Sequence, residues 1–260
     1  MELDENIPCG TDLRKALNIH DVIVEVDNKS LTNRPDLWGH YGIAREIAAL
    51  YGRKLKPLEV SEIVVDASMP SVKVNVNSAD CYRYTTCKFE NITKKVSSQE
   101  MQLRLFRAGM RGINLLADIT NYIMLELGTP MHAFDSQIVS EIGVENVKAE
   151  TEFVTLDNVK RKLPKNTMVI TDGKMPVAIA GVMGGLNSEI TDDTTSVLVE
   201  SAMFDGSSVR KTALNIGLRT EASARYEKML DPELTMLALK RYYHLLKKLD
   251  GGVQVASSVT

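Results

Sequence analysis

The sequence predicts an α+β protein in which mixed β-sheets are layered with α-helices. Strand-like and helix-like segments follow one another without the regular strand–helix–strand rhythm of parallel α/β folds. The middle of the chain is rich in short strands separated by turn signals, whereas the C-terminal part carries helix caps and stops. The composition, 44% hydrophobic and 25% charged residues, is that of an ordinary globular protein with a packed core.

The N-terminal part of the chain is predicted to form a partial α/β unit. Residues 22–26 read Val-Ile-Val-Glu-Val, which is typical of a short strand. Asp36 or a neighbouring residue can cap a helix over residues 37–51, and Gly52 is placed to end that helix. This part is too small to be more than one incomplete unit.

A linker is predicted between this unit and the rest of the chain. Residues 53–70 are mostly polar and contain two prolines, a composition that disfavours both helix and central strand. We therefore expect one division of the chain, with residues 1–65 as the partial N-terminal domain and its linker. Residues 66–260 are expected to form a single larger domain.

Strands in the larger domain are predicted from alternating apolar residues, β-branched and aromatic side chains, and turn signals. The pair Asp172-Gly173 between two apolar runs is a strong hairpin signal, and Asp157-Asn158 is a weaker one. The predicted strands are residues 72–76, 82–92, 151–155, 160–163, 168–171, 177–179 and 197–200.

Helices in the larger domain are predicted from capping residues and terminating glycines. Ser97 with Glu100 fits a capping box, and Asp231 followed by Pro232 fits a helix start. The predicted helices run from Ser97 to Ala108, 117 to 127, Ser207 or Ser208 to Asn215, 221 to 230, and Asp231 to Gly251.

Composition also limits the classes of function. The net charge is -3 and the pI about 5.9, whereas a domain that grips duplex RNA through its phosphates is usually basic. Any hold on RNA must therefore come mainly from another part of an assembly. The sequence shows no apolar run of the roughly 20 residues that span a bilayer, and no secretory signal at its start. We expect a cytoplasmic protein without membrane contact.

Metal, disulfide and nucleotide sites are not expected. Cys9, Cys81 and Cys87 form no C-x-x-C pair and should be reduced, mostly buried thiols. The histidines lie at 20, 40, 132 and 244 and form no H-x-x-x-H pair, so zinc is not expected. The sequence contains no P-loop, no G-x-G-x-x-G and no G-x-S-x-G motif.

Two segments are candidates for chemistry, each with an ordinary alternative. The glycine-rich segment 180–185 is either a tight turn after a buried strand or a place where backbone N–H groups approach a ligand. His132 stands between Pro130 and Asp135, which suggests an exposed turn at a helix end where Asp135 can orient its ring. The alternative is a structural histidine.

A carboxylate follows the last apolar stretch. Glu200 closes the run Val197-Leu198-Val199 and is expected at the end of that strand, either exposed or in a polar pocket, because burying it alone is costly. Thr220 is explained as a helix cap, and Arg111 can simply neutralise nearby carbonyl groups.

Four stretches, taken together, resemble a known family. They read LTNRPDLWGHYGIAREIAALYG, DITNYIMLELGTPMHAFD, AIAGVMGGLNSEITDDTTSVLVESAMF and GLRTEASARYEKMLDP. Their order and separations are similar to those of the beta subunit of bacterial phenylalanyl-tRNA synthetase, and they cover nearly the whole chain. The resemblance implies a β/β/α sandwich, the aminoacyl-editing region, preceded by the closing half of an N-terminal domain. It also implies that the sequence is part of a longer subunit.

The resemblance implies a function as well: hydrolysis of the ester that joins tyrosine to phenylalanine tRNA by mistake. The implied partners are that tRNA, the alpha subunit in a heterotetramer of two alpha and two beta subunits, and tyrosine or phenylalanine as ligand. ATP and magnesium are implied for the full enzyme only, and no cofactor for this region. The implied catalytic residues are His132, Thr120, Asn121 and Gly181. The implied substrate-binding residues are Arg111, Pro130, Ala180, Glu200, Thr220 and Ala222.

Chemical reasoning gives these residues roles. A synthetic site for phenylalanine rejects the extra hydroxyl of tyrosine only weakly, so a second, hydrolytic site is useful. Glu200 can accept the phenol O–H, and an unpaired acceptor facing phenylalanine favours tyrosine about ten- to a hundredfold. We expect His132, with Thr120 or Asn121, to orient the water or the terminal adenosine, and N–H groups near Gly181 to hold the carbonyl oxygen.

Two other functions remain open from the sequence. The chain could be a docking module for tRNA or for the alpha subunit, with a vestigial pocket, or an amino-acid-binding domain of similar fold. The mechanism requires that Glu200, His132 and Gly181 converge in one cleft.

Overall fold

The structure, a computed structural model, describes residues 6–17 and 19–260. Its strands are β1 (Val74–Val76), β2 (Cys81–Glu90), β3 (Met131–Asp135), β4 (Ile142–Asn146), β5 (Thr151–Val154), β6 (Lys160–Leu163), β7 (Met168–Thr171), β8 (Pro176–Ile179), β9 (Met183–Gly184), β10 (Val197–Phe204) and β11 (Gln254–Val255). Its helices are α1 (Leu13–Ala16), α2 (His40–Leu50), α3 (Gln99–Arg107), α4 (Leu115–Leu127), α5 (Gly206–Asn215), α6 (Glu221–Tyr226) and α7 (Leu234–Leu249).

A four-stranded antiparallel sheet forms the middle layer, in the order β11-β2-β10-β3. β10 is central, and each of its residues is buried. A strand buried on both faces needs a partner layer on each side. Another layer of the protein must therefore pack against each of the two faces of this sheet.

One covering layer is a five-stranded sheet in the order β1-β4-β7-β8-β9, in which only β1 and β4 pair in parallel. Leu198 and Ala202 of β10 share a core with its residues Val169, Ile170 and Val177. The hairpin β5–β6 forms a separate two-stranded sheet.

The other covering layer is helical. Val197 and Val199, which alternate with Leu198 along β10, pack with apolar residues of α4 and α7 such as Ile119 and Tyr242. Side chains in a strand point alternately to opposite faces, so the two cores lie on opposite sides of the middle sheet. The predicted α+β class and the β/β/α layering are confirmed.

The N-terminal part differs from its prediction. Residues 22–26 form no strand and are exposed, Val22 and Ile23 to 83% each, because no described segment pairs with them. The predicted helix 37–51 begins later, at His40, after a 3-10 turn over Pro35–Trp38. Gly39 separates the two, and its backbone lies so close to that of Gly128 that a side chain would collide with it.

Residues 53–70 lack regular structure, as predicted, but they are attached to the larger unit. The Ser61 backbone N–H donates to the Lys240 carbonyl at 3.4 Å, and the Arg241 Nη1 donates to the Glu59 carbonyl at 2.7 Å. The predicted linker therefore lies against α7. The division of the chain after residue 65 stays a prediction.

Within the larger unit the strong local signals are confirmed. The hairpins β5–β6 and β7–β8 form around the predicted turns, and α4 ends at Gly128, which is left-handed with φ 78°. Several boundaries differ. Ser98 rather than Ser97 caps α3, α6 ends at Tyr226 rather than at residue 230, and α7 begins at Leu234.

The main errors concern strands. β3 and β4 were not predicted, and β10 continues to Phe204 instead of ending at Glu200. All three strands depend on partners far away in the sequence, which local propensity does not reveal.

Among the described residues, Cys81 and Cys87 are buried, Cys9 is exposed, and all three are free thiols. None of the described helices combines the length and apolar character that crossing a membrane requires.

Candidate active site

A small cavity of about 60 Å³ lies where the two large sheets meet α6. Its walls come from the start of β3, the middle of β10, the hairpin β8–β9 and one turn of α6. Six of the ten residues predicted to form the site line it, so the expected convergence of distant segments occurs here. These six are Pro130, His132, Ala180, Gly181, Glu200 and Ala222.

Glu200 and His132 are direct partners across the antiparallel pair β10–β3. Opposite residues of such a pair point to the same face, with Cβ atoms about 5 Å apart. This corrects two expectations. Glu200 lies in the middle of β10 rather than at its end, and His132 lies in a strand and is half-buried rather than exposed in a turn.

Glu200 is 6% exposed, and its Oε2 accepts a hydrogen bond from the Tyr84 hydroxyl at 2.6 Å. Burial raises the pKa of the Glu200 carboxyl to about 7, and the Tyr84 hydrogen bond opposes that rise. At neutral pH the carboxyl therefore exchanges between its acid and carboxylate forms. In the described part of the chain, Tyr84 is the one residue that donates a hydrogen bond to it.

The His132 ring packs edge-on against Phe134, with centroids 4.5 Å apart. Burial lowers the pKa of His132 to about 4, so its imidazole is neutral at pH 7. Asp135 does not orient this ring, because its carboxylate accepts from the Gln137 backbone and the Thr194 hydroxyl instead. No other described residue forms a hydrogen bond with the imidazole, so its nitrogens are free to bind water or a ligand.

Gly181 lies in the turn that joins β8 to β9. The turn is closed by the Val182 N–H, which donates to the Ile179 carbonyl at 3.0 Å, and Gly181 has φ 69°. A Cβ at this position would lie 2.9 Å from Cγ2 of Val209, so glycine is required by both conformation and space. The tight turn is thus confirmed. The Gly181 backbone N–H donates a hydrogen bond to none of the described residues.

Thr220 and α6 hold this turn in place. The Thr220 hydroxyl accepts from the Ser223 N–H in a capping box and donates to the Val182 carbonyl at 2.9 Å. Ala222, one turn before Tyr226, faces the cavity. Thr220 itself is beside the cavity, not in its lining, and its hydroxyl is engaged by the protein. Its contact with a substrate stays a prediction.

Three predicted residues are not brought to the cavity. Thr120 and Asn121 lie on α4, whose apolar residues pack on the opposite face of the middle sheet, and the Thr120 hydroxyl donates to the Ala117 carbonyl. Arg111 is exposed in the loop before α4. The lining of the cavity contains none of the three. Their proposed roles stay predictions.

Two cavity neighbours were missed from the sequence. Tyr84 reaches Glu200 from β2, and Tyr226 donates its hydroxyl to the carbonyls of Ala202, at 3.1 Å, and Pro130, at 3.3 Å. Tyr226 thereby joins α6 to the start of β3. An ordinary tyrosine carries no sequence signal for such roles, because the Tyr84 contact depends on strand register and the Tyr226 contacts depend on how α6 packs against the strands.

Larger grooves exist on the surface but lack this combination of groups. One of about 680 Å³ runs along α5 and residues 217–219 and 227–229, and one of about 770 Å³ lies between residues 21–24 and helices α3 and α4. In the first, Arg219 is paired with Glu227, and in the second, Arg225 is paired with Glu221. The described residues also contain no group of three His, Cys, Asp or Glu side chains suited to a metal. We place the site in the small cavity.

The site thus offers three chemical functions. Glu200 can accept a hydrogen bond at the inner end, the neutral His132 imidazole can bind water, and the Gly181 N–H can donate to an oxygen atom. Apolar walls from Ile170 and Ile179 surround these groups. A ligand with an aromatic or apolar side chain and a polar head fits this arrangement.

Comparison with known proteins identifies the family. Residues 80–251 match the model of the B3/4 domain. A phenylalanine–tRNA ligase beta subunit from Clostridium acetobutylicum is 41% identical over 256 residues, which cover 97% of this chain and 32% of that protein. One from Solibacter usitatus is 42% identical over 242 residues, covering 92% and 31%.

A solved structure also matches in part. It is an N-terminal fragment of the phenylalanyl-tRNA synthetase beta subunit from Pyrococcus horikoshii, with 16% identity and a TM-score of 0.48, covering 88% of this chain and 61% of that one. The chain spans about a third of the length of the beta subunits that it matches by sequence. The chain belongs to the B3/4 domain family and corresponds to a region of phenylalanine–tRNA ligase beta subunits.

Proposed function

We propose that this chain is the editing region of a phenylalanyl-tRNA synthetase beta subunit and hydrolyses tyrosine from phenylalanine tRNA. The observation that carries the proposal is the meeting of Glu200 and His132 on one sheet face, with Gly181 in the same cavity. A buried acceptor and a neutral imidazole in one apolar cleft suit a phenolic amino-acid ester.

Selection of tyrosine rests on Glu200. Its Oε1 can accept the phenol O–H of a bound tyrosine while Oε2 stays bonded to Tyr84. Phenylalanine in the same place leaves that buried oxygen unpaired, which costs about 1–3 kcal/mol. This corresponds to a preference for tyrosine of about ten- to a hundredfold.

Hydrolysis rests on a positioned water. Its oxygen attacks the ester carbonyl carbon, the bond between that carbon and the ribose oxygen breaks, and the ribose oxygen takes a proton that comes from the water. Because burial lowers the pKa of His132 to about 4, the ring is a weak base whose role is to orient the water. The Gly181 N–H stabilises the negative charge that develops on the carbonyl oxygen.

Entry of a substrate requires the cavity to open. Its volume of about 60 Å³ holds only a few water molecules, well below the pockets that enclose whole ligands. Met131 and Met183 are half-buried in its lining, and methionine side chains change conformation at low cost. We assign the opening to these two side chains.

The remaining parts of the proposal concern the whole synthetase. Phenylalanine tRNA is held mainly by other parts of the assembly, because this chain has a net charge of -3. The alpha subunit, ATP and magnesium belong to the aminoacylation reaction, and no step of the hydrolysis proposed here uses them. The protein works in the cytoplasm.

Two observations favour a second function, a docking module for tRNA or the alpha subunit with a vestigial pocket. The cavity is small, and Arg111, Thr120 and Asn121 do not line it. A docking module needs no turnover, so catalysis separates the two functions.

The experiment is a deacylation assay with tyrosyl-tRNA and phenylalanyl-tRNA, using the synthetase that contains this chain and its His132→Ala variant. The control variant is His20→Ala, which changes an exposed histidine. The proposal predicts faster release of tyrosine than of phenylalanine, and at least about tenfold slower release after His132→Ala. Equal rates for all three proteins, at the level of uncatalysed hydrolysis, would overturn the proposal and leave the two functions without turnover, docking and amino-acid binding.

A further inference from the structure

A buried tyrosine lies behind the acceptor of the cavity. Tyr84 is 8% exposed and its hydroxyl donates to Glu200 Oε2 at 2.6 Å, a short hydrogen bond to a carboxyl oxygen. Tyr84 pairs with Ala202 across β2 and β10, which puts it diagonally next to Glu200 on the same sheet face. Glu200 is therefore placed between His132 on one side and Tyr84 on the other.

Other groups near Glu200 do not support its carboxylate. Tyr226 donates its hydroxyl to two backbone carbonyls, those of Ala202 and Pro130, and the Cys81 thiol donates to the Arg83 carbonyl. Among the described residues, no lysine, arginine or charged histidine forms an ion pair with Glu200. A buried carboxylate without such support is strongly destabilised.

The Tyr84 hydrogen bond has two consequences for the acceptor. It fixes the plane of the carboxyl group, because one of the two oxygens is held by a rigid, buried aromatic side chain. It also stabilises the ionised form over the neutral acid. The second oxygen, Oε1, accepts from no described residue and is left as an acceptor on a residue that lines the cavity.

We propose that Tyr84 is a positioning residue that determines the selectivity for tyrosine, because it holds Glu200 as the acceptor for the substrate phenol. This inference rests on the proposed editing function. An unpaired buried carboxylate penalises bound phenylalanine more than an unpaired neutral acid does. Removal of the Tyr84 hydroxyl therefore weakens the discrimination while the cavity walls stay in place.

The first test measures selectivity, the ratio of tyrosyl-tRNA to phenylalanyl-tRNA deacylation rates, in the synthetase that contains this chain. Tyr84→Phe is expected to lower the ratio by about tenfold. Tyr82→Phe is the matched control, since Tyr82 lies on the same strand and donates its hydroxyl to the carboxylate of Asp205 at 2.8 Å, away from the cavity. It should keep the wild-type ratio.

The second test asks whether Tyr84 acts through Glu200. Tyr84→Phe in a Glu200→Gln background should cause no further loss of selectivity, because the carboxylate is already gone. The titration of Glu200, followed by carbon NMR of labelled glutamate in the 260-residue chain, should move to higher pH in Tyr84→Phe.

The outcomes separate the two proposals. A wild-type enzyme that does not prefer tyrosyl-tRNA overturns the proposed function, and the selectivity role of Tyr84 with it. A selective wild type whose ratio and Glu200 titration are unchanged by Tyr84→Phe overturns only the inference on Tyr84. An equal loss of selectivity from Tyr84→Phe in both backgrounds also overturns it, since Tyr84 then does not act through Glu200.

Discussion

Glu200 and His132 face each other across the β10–β3 pair, and burial shifts the pKa values of the two groups in opposite directions. It raises the pKa of Glu200 to about 7 and lowers that of His132 to about 4. Burial favours the neutral form of each group. Between these two pKa values an uncharged imidazole therefore lies opposite a carboxyl that is still largely protonated.

Glu200→Gln should change the pH dependence of stability. The pKa of the native carboxyl, about 7, lies above its unfolded value of 4.5, so the folded chain keeps a proton that the unfolded chain releases. The stabilisation from this group is fully present below pH 4.5 and is lost as the pH rises to 7, by an amount on the order of 3 kcal/mol. The variant should lack this loss.

Denaturant unfolding between pH 4.5 and 7 measures this effect. Glu189→Gln, at an exposed carboxylate, is the control and should follow the wild type. A Glu200→Gln profile that runs parallel to the wild type would mean that Glu200 titrates in the folded chain as it does in solvent.

His132→Gln should produce the opposite change. The pKa of the native imidazole, about 4, lies below its unfolded value of 6.5, so the unfolded chain takes up a proton first. The stabilisation from this group is present above pH 6.5 and is lost as the pH falls to 4, again on the order of 3 kcal/mol.

Between pH 4.5 and 6.5 in the wild type, the pH-dependent contributions of Glu200 and His132 to the free energy of unfolding largely cancel. His132→Gln should therefore become less stable as the pH rises through this range, and Glu200→Gln more stable. The same denaturant series gives both slopes. If the stability of both variants changed with pH in the same direction, the opposite pKa shifts of Glu200 and His132 would be contradicted.

Gly181→Ala should destabilise the chain more than Gly217→Ala. Both glycines are left-handed, with φ 69° and 64°, but a Cβ on Gly181 would crowd Val209 and one on Gly217 would meet nothing within 4 Å. Both variants lose about 1–2 kcal/mol from backbone conformation, and Gly181→Ala loses about 1–3 kcal/mol more from crowding. Thermal or denaturant unfolding gives the difference. Equal losses would mean that the turn has room for a side chain.

Thr220→Val should lower the free energy of unfolding by about 1–2 kcal/mol, because it removes the cap of α6 and the bond to the Val182 carbonyl. Thr220→Ser keeps the hydroxyl and should stay close to the wild type. Denaturant unfolding compares the two. If Thr220→Val slows deacylation while its stability is unchanged, Thr220 contacts the substrate rather than the turn.

Local signals were sufficient for much of the fold. Asp172-Gly173 predicts the β7–β8 hairpin, and Gly128 predicts the end of α4, since both depend on the conformation of a few adjacent residues. The strand β3 was missed because five residues between a proline and a turn become a strand only when β10 pairs with them. Pairing over such a distance in sequence is not encoded locally.

The candidate site residues were proposed from resemblance and not from pattern. The matching motifs identified His132, Gly181 and Glu200, which the structure brings into one cavity. The contact between Tyr84 and Glu200 could not be predicted from the sequence. The two residues are 116 positions apart, and the register of β2 and β10 brings the Tyr84 hydroxyl to the Glu200 carboxylate. That register follows from the burial of both faces of β10, a property of the folded sheet as a whole.

The most direct test of the account is the ratio of tyrosyl-tRNA to phenylalanyl-tRNA deacylation rates in the wild-type synthetase and in its Glu200→Ala variant. The account predicts a wild-type ratio of about ten to a hundred that falls close to one in the variant. Melting temperatures show that both proteins are folded. A ratio that is the same in both proteins would contradict the assignment of Glu200 as the group that recognises the tyrosine hydroxyl.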